Sequence, residues 1–326
     1  MKFKFFSILL AGALLSSCQD EMTRKVDLGA SVSPLTEGLT FRGDTAVVKA
    51  GTDVVFQFSG DPDFISFFSG EPGRVYANID RTAVPVNEIK QSNLAFKVKP
   101  EYGIIPNTLS VYLSDGFSGL KGNDFIADST AISECNWKDI TEQCNLPVKS
   151  GTEVDVNIDL LPYLGKEITV AFRYKTDQNK QSQPRWTMTG MNIETDFKDG
   201  TSGLLKAEAF AFTAIDFLNK DNDPYAAKGG EGRWDTRKVS DLNPTIMIAS
   251  SKADQPMNED WLVSKPLFVN ETTPDTGVAI KDIADVLAHF RYVYTKPGVY
   301  KVSFVASNGN YEAFSRVVRE VNLIVE

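Results

Sequence analysis

Apolar and polar residues alternate over many short segments of this chain. In EVDVNIDL, the apolar side chains of Val154, Val156, Ile158 and Leu160 stand at every second position, with acids or asparagine between them. A period of two is typical of a strand with one buried and one hydrated face. The same period occurs in three other segments, 109–113, 168–174 and 300–306. Because Gly, Pro, Asn and Asp separate these segments, the pattern predicts an all-β protein made of sandwiches.

A second pattern is rich in phenylalanine. In DVVFQF, Val54, Phe56 and Phe58 share one face, and FISFF follows after a turn with the sequence SGDPD. Glycine and proline favour a tight turn there, so we predict a hairpin whose phenylalanines mostly face a core. The neighbours Phe67 and Phe68 are expected to point to opposite faces. The alternative function of this stretch is an aromatic platform for a ligand.

Signals for helices are few. In KDIADVLAHF, the apolar residues Ile283, Val286, Leu287 and Phe290 have helical spacing, which predicts one short helical turn. The segment 205–217 fits a strand period, although its alanines and glutamate favour a helix. We interpret it as a strand.

The N-terminus indicates export. Residues 1–17 contain two lysines followed by a short apolar run and small residues, as in a secretory signal peptide. The sequence LSSC ending at Cys18 resembles a bacterial lipobox, which implies lipidation of Cys18. The alternative is an ordinary signal peptide with an accidental cysteine. Residues 18–35 are predicted to form a tether, and the acids Asp20 and Glu21 resemble the surface-export signal of Bacteroidetes lipoproteins.

Charge and length narrow the function further. The chain has 326 residues and a formal net charge of −9. An acidic surface argues against nucleic-acid binding, which needs a basic footprint, and is compatible with neutral ligands such as sugars. The length favours two domains.

Beyond Cys18, Cys135 and Cys144 are the remaining cysteines, and in an exported protein we predict a disulfide between them. Two free buried thiols are the alternative.

The stretch KAGTDVVFQFSGDPDFISFFSGEPGRVYANIDR resembles the N-terminal region of a lipoprotein family of unknown function from Bacteroidetes. It also resembles the first half of a PKD-type, immunoglobulin-like domain. The C-terminal segment, TKPGVYKVSFVASNGN followed by VVREVNLIVE, is similar to the second half of such a domain. The resemblance implies a split sandwich made of residues 36–98 and 276–326, whose last strands pair with those near Val54–Phe58 and Phe64–Phe68.

Residues 99–275 would then be an insertion. Their strand order and the sequences CNWKDIT and EITVAFRYK resemble a jelly roll of the kind found in carbohydrate-binding modules. Such folds carry many functions, so the resemblance implies binding or adhesion only by analogy.

Candidate ligand residues lie in the polar segment 219–244. Trp234 and Tyr225 have no apolar periodicity around them, so we predict that they stack on a sugar whose hydroxyls bond Asp221, Asp223 and Arg233. The alternative is that Trp234 folds back as a lid over the end of the sandwich. The other tryptophans, Trp137, Trp186 and Trp261, are expected in the core. No cofactor is predicted; a structural calcium ion held by Asp221, Asp223 and Glu231 is a minor alternative.

Catalytic motifs do not stand out. The chain has one histidine, His289, within an apolar aromatic segment, and no Gly-x-Ser-x-Gly sequence. The leading hypothesis is therefore a non-catalytic lipoprotein of the outer membrane that faces the cell exterior and binds glycan, beside an outer-membrane uptake system. An adhesive or structural surface protein that binds other proteins is the alternative. A glycoside-active enzyme is third, since the sequence does not single out a carboxylate pair.

Overall fold

The structure is a computed structural model that describes residues 25–218, 223–225, 227, 232–249, 252–309 and 314–326. The strands are β1 (Gly29–Val32), β2 (Thr40–Arg42), β3 (Thr45–Val48), β4 (Asp53–Ser59), β5 (Phe64–Phe68), β6 (Ile89–Glu101), β7 (Leu109–Ser114), β8 (Lys138–Asp139), β9 (Val154–Asp159), β10 (Glu167–Lys175), β11 (Arg185–Phe197), β12 (Ser202–Lys206), β13 (Thr213–Asp216), β14 (Trp234–Lys238), β15 (Thr245–Ile248), β16 (Glu259–Val263), β17 (Leu267–Phe268), β18 (Val278–Lys281), β19 (His289–Val293), β20 (Gly298–Gly309) and β21 (Phe314–Val325). The α-helix is α1 (Phe125–Glu134). Short 3-10 helices lie at Tyr76–Asn78, Val86–Glu88, Glu142–Cys144, Leu161–Tyr163 and Ala207–Phe210.

The four alternating segments all form strands, namely β7, β9, β10 and β20. Their burial follows the predicted faces. In β9, Val156 and Ile158 are buried while Asp155 and Asn157 are exposed. The prediction of an all-β sandwich protein is confirmed.

The described residues up to Arg81 form the first unit together with Pro274–Glu326. Its three-stranded sheet has the order β1-β4-β19, and its six-stranded sheet has the order β18-β5-β20-β21-β3-β2. Rings from both sheets meet in one core, where Phe56 lies 5.1 Å from Phe304 between ring centroids. The C-terminal strand completes this unit, because β21 pairs with β20 and, in parallel, with β3.

The predicted hairpin of β4 and β5 is wrong. The two strands lie in different sheets, and β4 pairs with β1 and β19 while β5 pairs with β18 and β20. The turn at Gly60 carries the chain from one sheet to the other, so Phe56 and Phe67 face each other across the core at 6.0 Å. Phe68 points the other way and contacts Tyr76, as the alternation predicts. The pairing predicted for the last strands therefore holds for β5 and not for β4.

The motif SGEPG after β5 ties the two sheets together. The carboxylate of Glu71 accepts a hydrogen bond from the Ser69 hydroxyl (2.9 Å) and another from the Tyr292 hydroxyl. Tyr294 donates to the Ser69 carbonyl at 2.9 Å. Loss of solvation and the Glu71 contact raise the pKa of Tyr292. Since Tyr292 belongs to β19, this motif serves the fold of the first unit.

The point where the chain leaves and re-enters this unit is held by a buried ion pair. Arg81 donates to Asp275 at 3.0 Å, and the side chains are 15% and 1% exposed. Asp275 also accepts from the main-chain N–H of Val75 at 2.8 Å. The segment that leaves the first unit after Arg81 and the segment that re-enters it at Pro274 are thus fixed to each other inside this unit.

Thr82–Thr273 form the second unit, a sandwich of two six-stranded sheets. One sheet has the order β13-β16-β10-β7-β8 with β17 also paired to β10, and the other has the order β14-β15-β11-β6-β9 with β12 also paired to β11. Aromatic rings fill the space between them, including Phe96 and Phe172 at 5.6 Å. Helix α1 covers an aromatic cluster on the outer face of the first sheet.

Two predicted boundaries need correction. Residues 82–98 belong to the second unit, because β6 is a long inner strand that pairs with both β9 and β11. The segment 18–35 is not a free tether throughout, since β1 lies inside it and pairs with β4. The rest of this segment, up to residue 24, lies outside the described residues.

Helix predictions were also wrong at particular places. Residues 282–288 form a turn between β18 and β19, in which the Asp282 side chain accepts from the Ala284 N–H at 2.8 Å. Ile283 and Val286 are 69% and 95% exposed, so their helical spacing meets no core. Helix α1 was not predicted, because its sequence FIADSTAISE buries little apolar surface. In the segment 205–217, a 3-10 helix interrupts the predicted strand between β12 and β13.

Candidate functional site

Trp234 is not a surface residue. It begins β14, is 1% exposed and lies 6.4 Å from Phe172 in the core of the second unit. Its indole Nε1 has no hydrogen-bond partner among the described residues. The predicted contact of Trp234 with a ligand is therefore wrong, and the alternative, a ring folded over the sandwich, fits the structure. The sequence around Trp234 does not indicate its burial, because the apolar partners of Trp234 come from strands that are distant in the sequence.

Tyr225 has a structural role as well. Its hydroxyl donates to the Asp128 carboxylate at 2.7 Å, and Asp128 accepts two more hydrogen bonds, from the N–H groups of Lys121 and Gly122, at 2.8 Å each. Loss of solvation, followed by the Asp128 contact, raises the pKa of Tyr225. Tyr225 packs on the outer cluster beneath α1, whereas Trp234 is in the inner core, so the structure does not bring the two rings together.

The remaining predicted residues divide between described and undescribed segments. Asp223 is exposed and Arg233 is half-buried beside Trp234. Asp221, Glu231 and Cys18 lie outside the described residues. Within the described ranges, no group of three or more His, Cys, Asp or Glu side chains could hold a metal ion.

The predicted disulfide does not form, and both cysteines are free thiols. Cys144 lies in the inner core, where burial raises the pKa of its thiol to about 12. Cys135 packs against the outer cluster and donates to the Ser114 hydroxyl at 3.3 Å. The two thiols are on opposite faces of one sheet, so the nine-residue spacing in the sequence does not bring them together.

The other tryptophans are mostly core residues, as predicted. Trp186 and Trp261 are 5% and 6% exposed, and Trp137 is half-buried. Trp261 lies 5.3 Å from Tyr112 and 5.8 Å from Trp137, beneath the Arg173 guanidinium. The Trp137 Nε1 donates to the Ile132 carbonyl of α1 at 2.9 Å, which closes this cluster from above.

A groove in the second unit is the strongest candidate site. It has a volume of about 390 Å³, within the range of small-ligand sites. Loops that cross from one sheet of the sandwich to the other build it, and the buried residues Leu109 and Trp186 form its floor. The residues that line it are Pro100, Gly103, Ile104, Ile105, Pro106, Asn107, Leu109, Ser110, Thr141, Glu142, Asn145, Leu146, Pro147, Val148, Pro184 and Trp186.

Strained backbone surrounds this groove. Tyr102, Asn107 and Asn145 have φ values of 67°, 55° and 46°. Such values are uncommon for residues other than glycine, and asparagine tolerates them better than tyrosine does. Asn107 and Asn145 line the groove and Tyr102 precedes its lining residue Gly103, whereas Ala211 and Asp254, the other such residues in the described chain, are not in its lining. Strain of this type collects at binding and active sites.

Close packing fixes the loops in place. A Cβ on Gly103 would lie 2.0 Å from the nitrogen of Pro184, so only glycine permits this approach. The Pro184 carbonyl accepts from the buried Tyr174 hydroxyl at 2.9 Å, and Trp186 Nε1 donates to the Thr108 hydroxyl at 2.9 Å. The groove is therefore preformed by the sandwich.

One wall of the groove continues into a charged cluster. The Arg185 guanidinium lies 4.5 Å from the centre of the Tyr102 ring and bonds Glu101 at 2.5 Å. The hydrogen bond from Arg185 lowers the pKa of Glu101, and Lys99 adds to this effect. Tyr102 is 69% exposed, so a large aromatic ring stands at the rim with one face covered by a cation.

The groove is not predicted as a site by the sequence. Its signals are weak in the sequence: the loops PEYGIIPN and NLPVK combine proline with asparagine, but they are about 40 residues apart. The two loops meet because β7 pairs with β8 and β6 pairs with β9.

Fold and site together define a protein of two all-β sandwich units with a preformed groove in the second. The chain belongs to the family described as a domain of unknown function (DUF5017), whose model matches residues 37–211. The matched segment contains all residues that line the groove, whereas Tyr225 and Trp234 lie beyond it. No curated protein matches the chain. Among the described residues, no helix is both long and apolar enough to cross a membrane.

Proposed function

We propose that this protein is a non-catalytic lipoprotein of the cell surface, of the kind found in Bacteroidetes, and that it binds glycan in the groove of its second unit. The observation that carries the proposal is the groove itself, which combines an apolar floor with exposed amide and carboxylate groups on a strained rim. Sugars present C–H faces to apolar surfaces and hydroxyls to such polar groups. Tyr102 supplies an exposed aromatic ring beside it.

Binding suits this groove better than hydrolysis. Its described lining includes one carboxylate, that of Glu142. Glycosidases commonly place two carboxyl groups on either side of the scissile bond.

The cellular setting belongs to the same proposal. A lipid on Cys18 would hold the protein at the outer membrane facing outwards, beside a glycan-uptake system, with the first unit as a PKD-like sandwich and the second as a jelly-roll-like module. Cys18→Ala is expected to release the protein from the membrane fraction. Protease added to intact cells is expected to remove the wild-type protein. Retention of the variant after a carbonate wash, or full protection from protease, would contradict these two points.

The binding test uses the strained asparagines. The double variant Asn107→Gly with Asn145→Gly removes two rim amides, and glycine accepts both φ values, so the fold should persist. We expect the wild type to bind an oligosaccharide array and the double variant to bind at least ten times more weakly at an unchanged melting temperature. Asp254→Gly is the matched control, because Asp254 also has positive φ but does not line the groove. Failure of the wild type to bind any glycan would overturn the proposal.

A protein partner is the second candidate function. The observation that favours it is the exposure of two aliphatic side chains at the groove, Ile104 (68%) and Val148 (88%). Under this candidate, Ile104→Asp with Val148→Asp would abolish adhesion to surfaces coated with collagen or fibrinogen, whereas loss of the two asparagine amides would leave adhesion unchanged.

A further inference from the structure

The floor of the groove contains an open position on a strand edge. Leu109–Ser114 of β7 lie opposite residues 169–174 of β10, and Lys175 donates to the Thr108 carbonyl at 2.8 Å in the same register. This bond makes Ser110, Tyr112 and Ser114 the residues whose main-chain groups face β10. Antiparallel strands alternate the direction of their hydrogen bonds from one residue to the next. The main-chain groups of Leu109 and Val111 must therefore point away from β10.

The contacts of Val111 confirm this direction. Its carbonyl accepts from the Ile140 N–H at 2.9 Å, and its N–H donates to the Thr141 hydroxyl at 2.9 Å. Two residues earlier, the register would place Glu142 opposite Leu109. The chain instead turns into the 3-10 helix Glu142–Cys144, so no strand of the described chain covers Leu109 on this side.

Leu109 is thereby left with an unpaired donor and acceptor. The register turns its N–H and C=O away from β10, and outside the strands no described main-chain group bonds them; the residue is 2% exposed and lines the groove. A buried main-chain group without a partner costs free energy, so such groups are rare in native proteins. Water in the groove, or a ligand that displaces it, can supply the partner.

We propose that the main chain of Leu109 anchors the ligand by binding two neighbouring hydroxyl groups of a neutral pyranose, one accepting from its N–H and the other donating to its C=O. This inference rests on the glycan-binding function proposed above and names the recognised group. A vicinal diol offers an acceptor and a donor side by side, which matches the two groups that one strand residue presents to the same side. The apolar floor, including Trp186, faces the ring C–H groups.

The shortness of the open edge favours a sugar over a peptide. An added peptide strand uses a run of main-chain groups. Here Val111 is already bonded on one side of Leu109, and on the other side Asn107, at φ 55°, ends the extended backbone. Only one residue of the edge is open, which suits a small polar group.

The test follows the Leu109 amide directly in the full-length protein. With ¹⁵N-leucine labelling, the Leu109 cross-peak is identified as the one lost in Leu109→Ile. The probes are the methyl glycosides of glucose, galactose and mannose, with the monodeoxy derivatives of each. We expect the Leu109 amide to shift in a saturable manner with the sugar that binds. Removal of either hydroxyl of one neighbouring pair should weaken binding about tenfold or more. The Val111 amide, observed with ¹⁵N-valine, is the internal control and should move little.

Each other outcome has a distinct meaning. Sugar binding that is sensitive to Asn107→Gly with Asn145→Gly, but leaves the Leu109 amide unmoved and tolerates every single deoxygenation, overturns this inference and leaves glycan binding intact. Absence of binding by all sugars overturns the proposed function. A Leu109 shift caused by a tryptic digest of casein, and by none of the sugars, would assign the edge to peptides and overturn both.

Discussion

Two loop regions of the second unit differ from what their sequences predict: the predicted ligand-binding loop is structural, and two inconspicuous loops form the groove. The segment ending at Trp234 is polar and carries aromatic residues, yet its rings are internal, against the core and against Asp128. The loops at 102–107 and 145–148 are short and contain one proline each, yet they enclose the groove. An aromatic ring in a polar loop is thus a poor sign of a binding site, because partners distant in sequence can bury it. Strained backbone beside a concave surface is a better sign.

Trp234 should give the largest effect in this comparison. We expect Trp234→Ala to destabilise the protein by about 3–5 kcal/mol, since it removes a buried aromatic side chain from a close-packed core. Trp234→Phe should cost much less, because it keeps a ring and removes an unpartnered N–H. Urea denaturation followed by circular dichroism gives both values. If Trp234→Ala has near wild-type stability, Trp234 is not buried in the core.

Tyr225→Phe should have the next largest effect. It removes one of three hydrogen bonds to the buried Asp128 carboxylate, and hydrogen bonds to charged groups contribute about 1.5–3 kcal/mol. The ring packing remains, so the loss measures the hydroxyl. Glycan binding by this variant, tested below its melting transition, should equal that of the wild type. Weaker binding with unchanged stability would instead place Tyr225 in a ligand site.

The sequence predicts the strands far better than their partners. Alternation in β9 and β10 is a local property, since each strand must hide one face whatever sheet it joins. The choice between a hairpin and a crossing from sheet to sheet is not local. Both bury Phe56 and Phe67, and only the geometry at Gly60 and the pairing of β5 with β20 distinguish them.

The candidate site is less predictable for the same reason. The groove depends on where β8 ends beside β7 and on how loops from β6, β7 and β11 meet. The open edge at Leu109 follows from the turn at Glu142, and nothing in the apolar pattern of LSVYLS marks it. Trp186 is a core residue, as its sequence context predicts, and the same residue also lines the groove.

At the rim of the groove, substitutions of Tyr102 should measure the backbone strain at this position. At φ 67°, alanine keeps the steric cost of the left-handed conformation, whereas glycine does not. We therefore expect Tyr102→Gly to be more stable than Tyr102→Ala by about 1 kcal/mol, even though glycine gains entropy in the unfolded chain. Both variants should bind glycan more weakly, because both lose the exposed ring. Equal stability of the two, measured by urea denaturation, would argue against strain at this position.

The smallest effect is expected at the charged wall of the groove. Glu101 is bonded by Arg185 and Lys99, and the Arg185 hydrogen bond holds its pKa below the usual range. A carboxyl whose pKa is lower in the folded than in the unfolded chain stabilises the fold above the unfolded value, about 4.3, and this contribution is lost as pH falls through the folded value. Glu101→Gln should therefore be less stable than the wild type at pH 7, by less than about 1 kcal/mol for a partly exposed cluster at the surface. The difference should shrink as the pH falls below about 4 and should also shrink in 1 M NaCl, where such pairs are screened. Thermal unfolding of both proteins across this pH range measures it. A difference that stays constant down to pH 2 would mean that Glu101 contributes through packing and not through its charge.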